Sequence, residues 1–208
     1  MTCHPSIFIA IAVAIALLTG WGCSRGPSRL KPPTIDASAA GRQAVSQYDT
    51  DGDGTIGPKE LNHAPALAAA LQNLDTSGEG RISAEEVAAR ITAWQSTKLG
   101  RMPVTCRVVC KGRPVAGSTV TFVPEKFLEA NLAPSTGTTD QYGMARVSLP
   151  DTEPPGVPCG LYRVVISKKQ GGRETVPPAY NRHTTLGLEV APDAKGFGKV
   201  SRITFHIE

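Results

Sequence analysis

The chain has 208 residues, with 22 Lys and Arg against 18 Asp and Glu, and its 21 Gly, 17 Pro and 5% aromatic content fit two small, turn-rich domains. Charge is uneven: residues 41–95 hold eight acids and four bases, and residues 96–208 hold nine acids and fifteen bases. Those bases scatter along predicted strands and turns without an RNP-like aromatic motif, which describes a solvated basic face and excludes a nucleic-acid partner.

Residues 7–18 form an unbroken apolar run. That length suits the core of an export signal and falls short of the roughly 20 residues a membrane span needs. LLTGWGC follows, ending at Cys23. It resembles a bacterial lipobox, which implies lipidation of Cys23 as the first mature residue. Gly22 fits that pattern, whereas Gly20 stands where leucine is usual, Trp21 is bulky, and MTCHP carries no Lys or Arg. A cleaved, non-lipidated signal and an uncleaved anchor stay open beside it. All three send the chain out of the cytoplasm, and lipidation would tie it to a membrane of the cell envelope, periplasmic or at the cell surface. Residues 24–39, including RGPSRLKPPT, read as a flexible tether with polyproline character.

The segment 40–97 is predicted to be a compact helical pair. Residues 49–60 read DTDGDGTIGPKE, matching D-x-[DN]-x-[DN]-G-x5-E at every specified position. The pattern resembles the EF-hand calcium loop. Calcium is a hard cation that takes six to eight oxygens, and a twelve-residue loop can wrap one ion. Asp49, Asp51 and Asp53 offer side-chain oxygens at positions 1, 3 and 5, and Thr55 offers its carbonyl at position 7. Gly54 permits the sharp turn at position 6. Gly57 has no side-chain oxygen, so position 9 falls to water, and Glu60 closes the site as a bidentate carboxylate.

Residues 75–86, DTSGEGRISAEE, start 26 positions later and repeat the frame. Asp75, Ser77, Glu79, Arg81 through its position-7 carbonyl, and Glu86 are the candidate ligands, with Ser83 available at position 9 directly or through water. Ser77 and Glu79 depart from the strict pattern, and three carboxylates face the four of loop one. Ligand charge tunes affinity, so loop one is expected to bind more tightly. Pro58 and Pro65 open helices, Leu67, Leu71 and Leu74 recur at helical spacing, and Ser83 with Glu86 forms a capping box. Val87, Ile91 and Trp94 make an i, i+4, i+7 stripe, read as the core of the pair in preference to a partner groove. Ile56 and Ile82 should pair across a two-stranded bridge.

From residue 102 to 208 the period shifts to alternation, so the fold class is α+β and multidomain, the helical pair being followed by an all-β sandwich. Lys111 to Pro114 and Thr139 to Gly143 are turns, and GLYRVVISK, LGLEV and VSRITFHI are strands. Cys106 and Cys110 lie on one strand about 13 Å apart at roughly 3.3 Å per residue, beyond disulfide reach. One of them at most can pair with Cys159. A zinc site of the three cysteines and His183 lacks any C-x2-C spacing.

GRPVAGSTVTFVPE, TTDQYGMARVSL and CGLYRVVISK, in that order, resemble the carboxypeptidase regulatory-like domains, which share a transthyretin-like fold. VPPAYNRHTTLGLEV is similar to the closing part of such domains in planctomycete-type lipoproteins. The resemblance implies an accessory binding or folding module and no peptidase activity. A purine-pathway hydrolase shares that fold, but its Tyr-Arg-Gly-Ser motif is missing from the closing FHIE. No G-x-S-x-G, H-E-x-x-H or P-loop motif is present, so no catalytic residue and no enzyme is expected. The expected ligand is Ca2+ alone, in a mainly structural role, with calcium-dependent docking of the dockerin type as the alternative. For the sandwich, a polysaccharide, another envelope protein and no ligand at all stay equally open.

Overall fold

The structure, a computed structural model, describes residues 30–197 and 203–208. The export signal, Cys23 and the first part of the tether lie outside the described residues. Helix α1 (Ala37–Tyr48) starts where Asp36 Oδ1 accepts from the Ala39 amide at 2.9 Å, a side-chain cap on an otherwise unpaired donor. Strand β1 (Thr55–Ile56), helix α2 (Pro58–Leu61), helix α3 (Pro65–Leu74), strand β2 (Ile82–Ser83) and helix α4 (Ala84–Ser96) follow. Pro58 and Pro65 sit in the first turns of α2 and α3, where a missing N–H costs nothing. The Ser83 and Glu86 capping box opens α4. Ile56 pairs with Ile82 between β1 and β2, and both are fully buried. Helix α1 crosses α4 closely at Gly41, where a Cβ would collide with the Ala84 carbonyl oxygen.

The tether expected over residues 24–39 is corrected at its end. Ile35 is buried, its carbonyl accepts from Gln95 Nε2 at 2.8 Å, and the Thr34 carbonyl accepts from Asn131 Nδ2 at 2.9 Å. Residues 34–39 therefore belong to the folded body, because an apolar side chain and two carbonyls find partners there.

The strands β3 (Val104–Cys110), β4 (Arg113–Pro114), β5 (Thr119–Pro124), β6 (Ser135–Thr138), β7 (Met144–Val147), β8 (Gly160–Ser167), β9 (Lys169–Gln170), β10 (Arg173–Glu174), β11 (Gly187–Val190) and β12 (Ile203–Ile207) complete the chain. One antiparallel sheet runs β11-β8-β5-β6. In the other, β3 is flanked by parallel β12 on one side and by antiparallel β7 and β4 on the other. The two sheets face each other: the Phe122 ring on β5 meets Phe205 on β12 edge to face, with centroids 6.3 Å apart. Tyr162, Val164 and Ile166 alternate into this space, fully buried, as the period-2 pattern predicts. Cys106, Cys110 and Cys159 are all free thiols. Burial pushes Cys106 up to about 12 and Cys159 up to about 11.

The outer face of the β11-β8-β5-β6 sheet carries the helices. Leu161 and Glu189 are cross-strand partners on that face, alternating with inward Tyr162 and Leu188, and all four are buried. Helix α3 presses so closely on β11 that a Cβ at Gly187 would collide with the Pro65 carbonyl oxygen. Helices, first sheet and second sheet form three layers with one continuous buried core. The stripe Val87, Ile91 and Trp94 is buried as expected, and Trp94 also reaches the sheet, donating Nε1 to Glu189 at 2.9 Å.

Candidate metal centre

Loop one is shaped by its own backbone. Gly52 and Gly54 take φ of +77° and +86°, which turn the amides at positions 4 and 6 inward. Asp49 gathers them: Oδ1 accepts from Gly52 N at 2.6 Å and Oδ2 from Gly54 N at 2.9 Å. Asp53 Oδ1 accepts from the Thr55 hydroxyl at 2.7 Å and its amide at 2.9 Å, and those two donors hold its carboxyl below the usual carboxylate range. The result is a cluster in which ligand oxygens of Asp49, Asp51 and Asp53 lie within 4.8 Å of one another. Glu60 reaches back from α2. Its Oε1 accepts from Thr50 N at 2.5 Å and from Asp51 N at 3.3 Å, and its Oε2 accepts from Gly57 N at 2.7 Å. Those amides, Thr50 first and then Gly57, lower its pKa and keep it ionised.

Loop two repeats this frame bond for bond. Asp75 Oδ1 accepts from Gly78 N and Oδ2 from Gly80 N, each at 2.7 Å, with φ of +77° and +73° at those glycines. Glu86 Oε1 accepts from Thr76 N at 3.0 Å and Ser77 N at 3.1 Å, and Oε2 from Ser83 N at 2.9 Å. The Gly80 amide foremost holds Asp75 low. Burial works to raise Glu86, but the Ser83 and Ser77 amides outweigh it and lower it.

Residues 46–63 match the family model described as EF hand. No curated protein and no solved structure matches the chain. The match falls on loop one and the helical residues around it, where the acidic cluster also lies, and together they support calcium binding. The donor chemistry fits the ion: four carboxylates and a carbonyl are hard oxygen ligands, and nothing soft lies among them.

The loops differ at positions 3, 5 and 7. Ser77 Oγ donates to Asp75 Oδ1 at 3.1 Å, so it serves the loop frame where Asp51 adds charge. Glu79 is exposed. Arg81 offers loop two its carbonyl in the pattern, and its guanidinium crosses β1–β2 to pair with Asp53 and to donate to Thr55 Oγ1 at 3.2 Å. A fixed cation from loop two thus stands beside a candidate ligand of loop one.

Some participants are absent from the ligand pattern. Thr50 and Thr76 at position 2 donate both amide and hydroxyl to Glu60 and Glu86. The paired DT openings of the two loops are the sequence signal for that role, and DTxGxG in both loops signals the position-4 glycine. Among the described residues, the three aspartates of loop one form the one group of three or more His, Cys, Asp or Glu side chains close enough to share an ion. The three thiols and His183 are not brought into such a group.

Proposed function

We propose that this is an exported calcium-binding protein, anchored in the cell envelope through lipid on Cys23, in which calcium stiffens a two-loop helical unit mounted on a non-catalytic β-sandwich. The observation that carries the reading is the repeated frame: in both loops the position-1 Asp gathers the amides at positions 4 and 6, and the position-12 Glu gathers those at positions 2, 3 and 9. Asp49, Asp51, Asp53, Thr55 and Glu60 would hold one ion, and Asp75, Ser77, Glu79, the Arg81 carbonyl and Glu86 a weaker second. Bound calcium supplies positive charge that relieves repulsion among the acids. Outside the cytoplasm, affinities of about 10⁻⁴ to 10⁻³ M suffice for an extracellular module.

A structural role is favoured over docking because the apolar stripe a docking helix would present is covered within the chain. Val87, Ile91 and Trp94 are buried, and Trp94 Nε1 is bonded to the sandwich carboxylate of Glu189 at 2.9 Å. The sandwich is read as a carboxypeptidase regulatory-like, transthyretin-like module from the order of its segments, with two facing sheets in support. It presents a surface to an envelope protein or polysaccharide. LLTGWGC supports the lipid anchor, and among the described residues no helix is long and apolar enough to cross a membrane.

The test is thermal unfolding of the chelator-stripped chain across a calcium series. The expected result is a melting temperature that climbs with calcium, as mass action requires of a ligand held by the folded state alone. A melting temperature indifferent to millimolar calcium overturns the structural role. Labelling with a lipid precursor tests the anchor: the label should vanish in Cys23→Ala.

A further inference from the structure

Two carboxylates of the sandwich face the helices, and each holds residues next to a calcium loop. Glu189, on the outer face of β11, is 4% exposed. Its Oε2 accepts from Asn73 Nδ2 at 2.7 Å, and its Oε1 accepts from Arg90 Nε at 2.5 Å and Trp94 Nε1 at 2.9 Å. Asn73 stands on α3, which enters loop two, and Arg90 and Trp94 stand on α4, which leaves it. A single side chain therefore ties together both helices of that hand. Arg90 extends the tie with a bidentate pair to Asp193, at 2.8 and 2.9 Å.

Glu125, directly after β5, is fully buried. Its Oε2 accepts from Tyr48 Oη at 2.6 Å and its Oε1 from Ala66 N at 3.1 Å. Tyr48 is the last residue of α1, adjacent to Asp49 at position 1 of loop one, and Ala66 lies in the first turn of α3. The angle between a loop's entering and leaving helices is what a hand can change on binding an ion. Here α1, α3 and α4 are each bonded to a carboxylate of the sandwich.

We propose that the β-sandwich is the intramolecular target of the helical pair, with Glu189 and Glu125 as the positioning residues that couple ion uptake in the loops to docking on the β11-β8-β5-β6 sheet. The proposal rests on the calcium-binding reading above. The sign follows from the docked arrangement, in which both loop frames are formed and the oxygens of loop one already converge. Docking favours the binding-competent loops, so calcium must by reciprocity favour docking. Neither glutamate needs to touch the ion. The sandwich would report the calcium level of its surroundings through the order of its outer sheet, and the surface it presents would be calcium-conditioned.

The experiment is calcium titration by calorimetry, with hydrogen exchange, on the full chain as wild type, Glu189→Gln and Tyr48→Phe. In wild type, calcium is expected to slow exchange in β11 and β8 as well as in the loops. Glu189→Gln should weaken the lower-affinity class roughly five-fold or more and abolish the calcium-induced protection of β11. Tyr48→Phe removes one hydroxyl, keeps the ring, and should weaken the tighter class. It preserves a folded test should the Gln variant unfold. Wild-type affinities in Tyr48→Phe, or in a folded Glu189→Gln, together with sheet protection indifferent to calcium, overturn the coupling and leave calcium binding standing. A wild-type chain that takes up no calcium overturns the binding reading itself and the coupling with it.

Discussion

The acids of the loops and the acids of the helix–sheet seam are built for opposite ends. Asp53, Asp75 and Glu60 are satisfied mainly by amides and hydroxyls of their own loops, which hold their pKa values low. Glu125 and Glu189 are buried and satisfied by donors from other elements, chiefly the side chains of Tyr48, Asn73, Arg90 and Trp94. The largely exposed cluster of Asp49, Asp51 and Asp53 costs stability until a cation arrives, whereas Glu60 is itself buried against its own loop's amides. A buried carboxylate with every donor in place holds layers together without one. The same residue types thus make a candidate binding site in one region and a joint in the other.

Substitution at the joint should have the largest effect on the chelated protein. Glu189→Ala strands three donors, one of them the Arg90 guanidinium, whose side chain is 9% exposed. Loss of one partner of a buried pair costs about 3–5 kcal/mol. Chemical denaturation in chelator should show that loss, while Asp51→Ala, at an exposed loop acid, stays well below it; equal losses would erase the distinction between regions. Gly187→Ala should come next, at about 1–3 kcal/mol, because its Cβ meets the backbone of Pro65 and cannot be absorbed by a side-chain rotation.

A pH series sharpens the contrast further. Burial raises the pKa of Glu125, against the opposing bonds from Tyr48 and Ala66. A carboxyl raised in the folded state contributes stability that is fully present below its unfolded value, about 4.3, and is lost as pH rises through the folded value. Glu125→Gln should remove that loss, so the stability difference between wild type and variant should shift in the variant's favour as pH rises above about 4.3. A constant difference across the series would contradict the assignment. The smallest effect belongs to Arg81→Ala. The Arg81 and Asp53 side chains are 44% and 35% exposed, and such pairs contribute about 0–1 kcal/mol. Calcium affinity of loop one should rise by at most about five-fold, less at high salt.

The loops were legible because calcium chemistry constrains nearly every position of a twelve-residue window. Gly54 takes the positive φ and Ile56 the buried slot that their places in the pattern demand. Helix starts at Pro58, Pro65 and Ser83 and the alternation of Tyr162, Val164 and Ile166 were legible for the same reason, since caps and periods are local. The seam was not. Tyr48 and Glu125 are 77 positions apart, and Asn73 and Glu189 are 116 apart. Periodicity marks Val87, Ile91 and Trp94 as buried without naming what covers them. One signal was available: Glu189 interrupts the apolar run of LGLEV, and an acid in a buried strand needs donors from somewhere. The Arg81 side chain escaped for a different reason, because the loop pattern assigns position 7 a carbonyl and leaves the side chain free to reach the neighbouring site.

Calorimetric titration of the chelator-stripped chain with calcium, repeated on Glu60→Gln and Glu86→Gln, tests the central claim most directly. The account predicts two classes of site in wild type, the tighter lost in Glu60→Gln and the weaker in Glu86→Gln. Loss of the tighter class in Glu86→Gln, or no calcium heat in wild type, would contradict it.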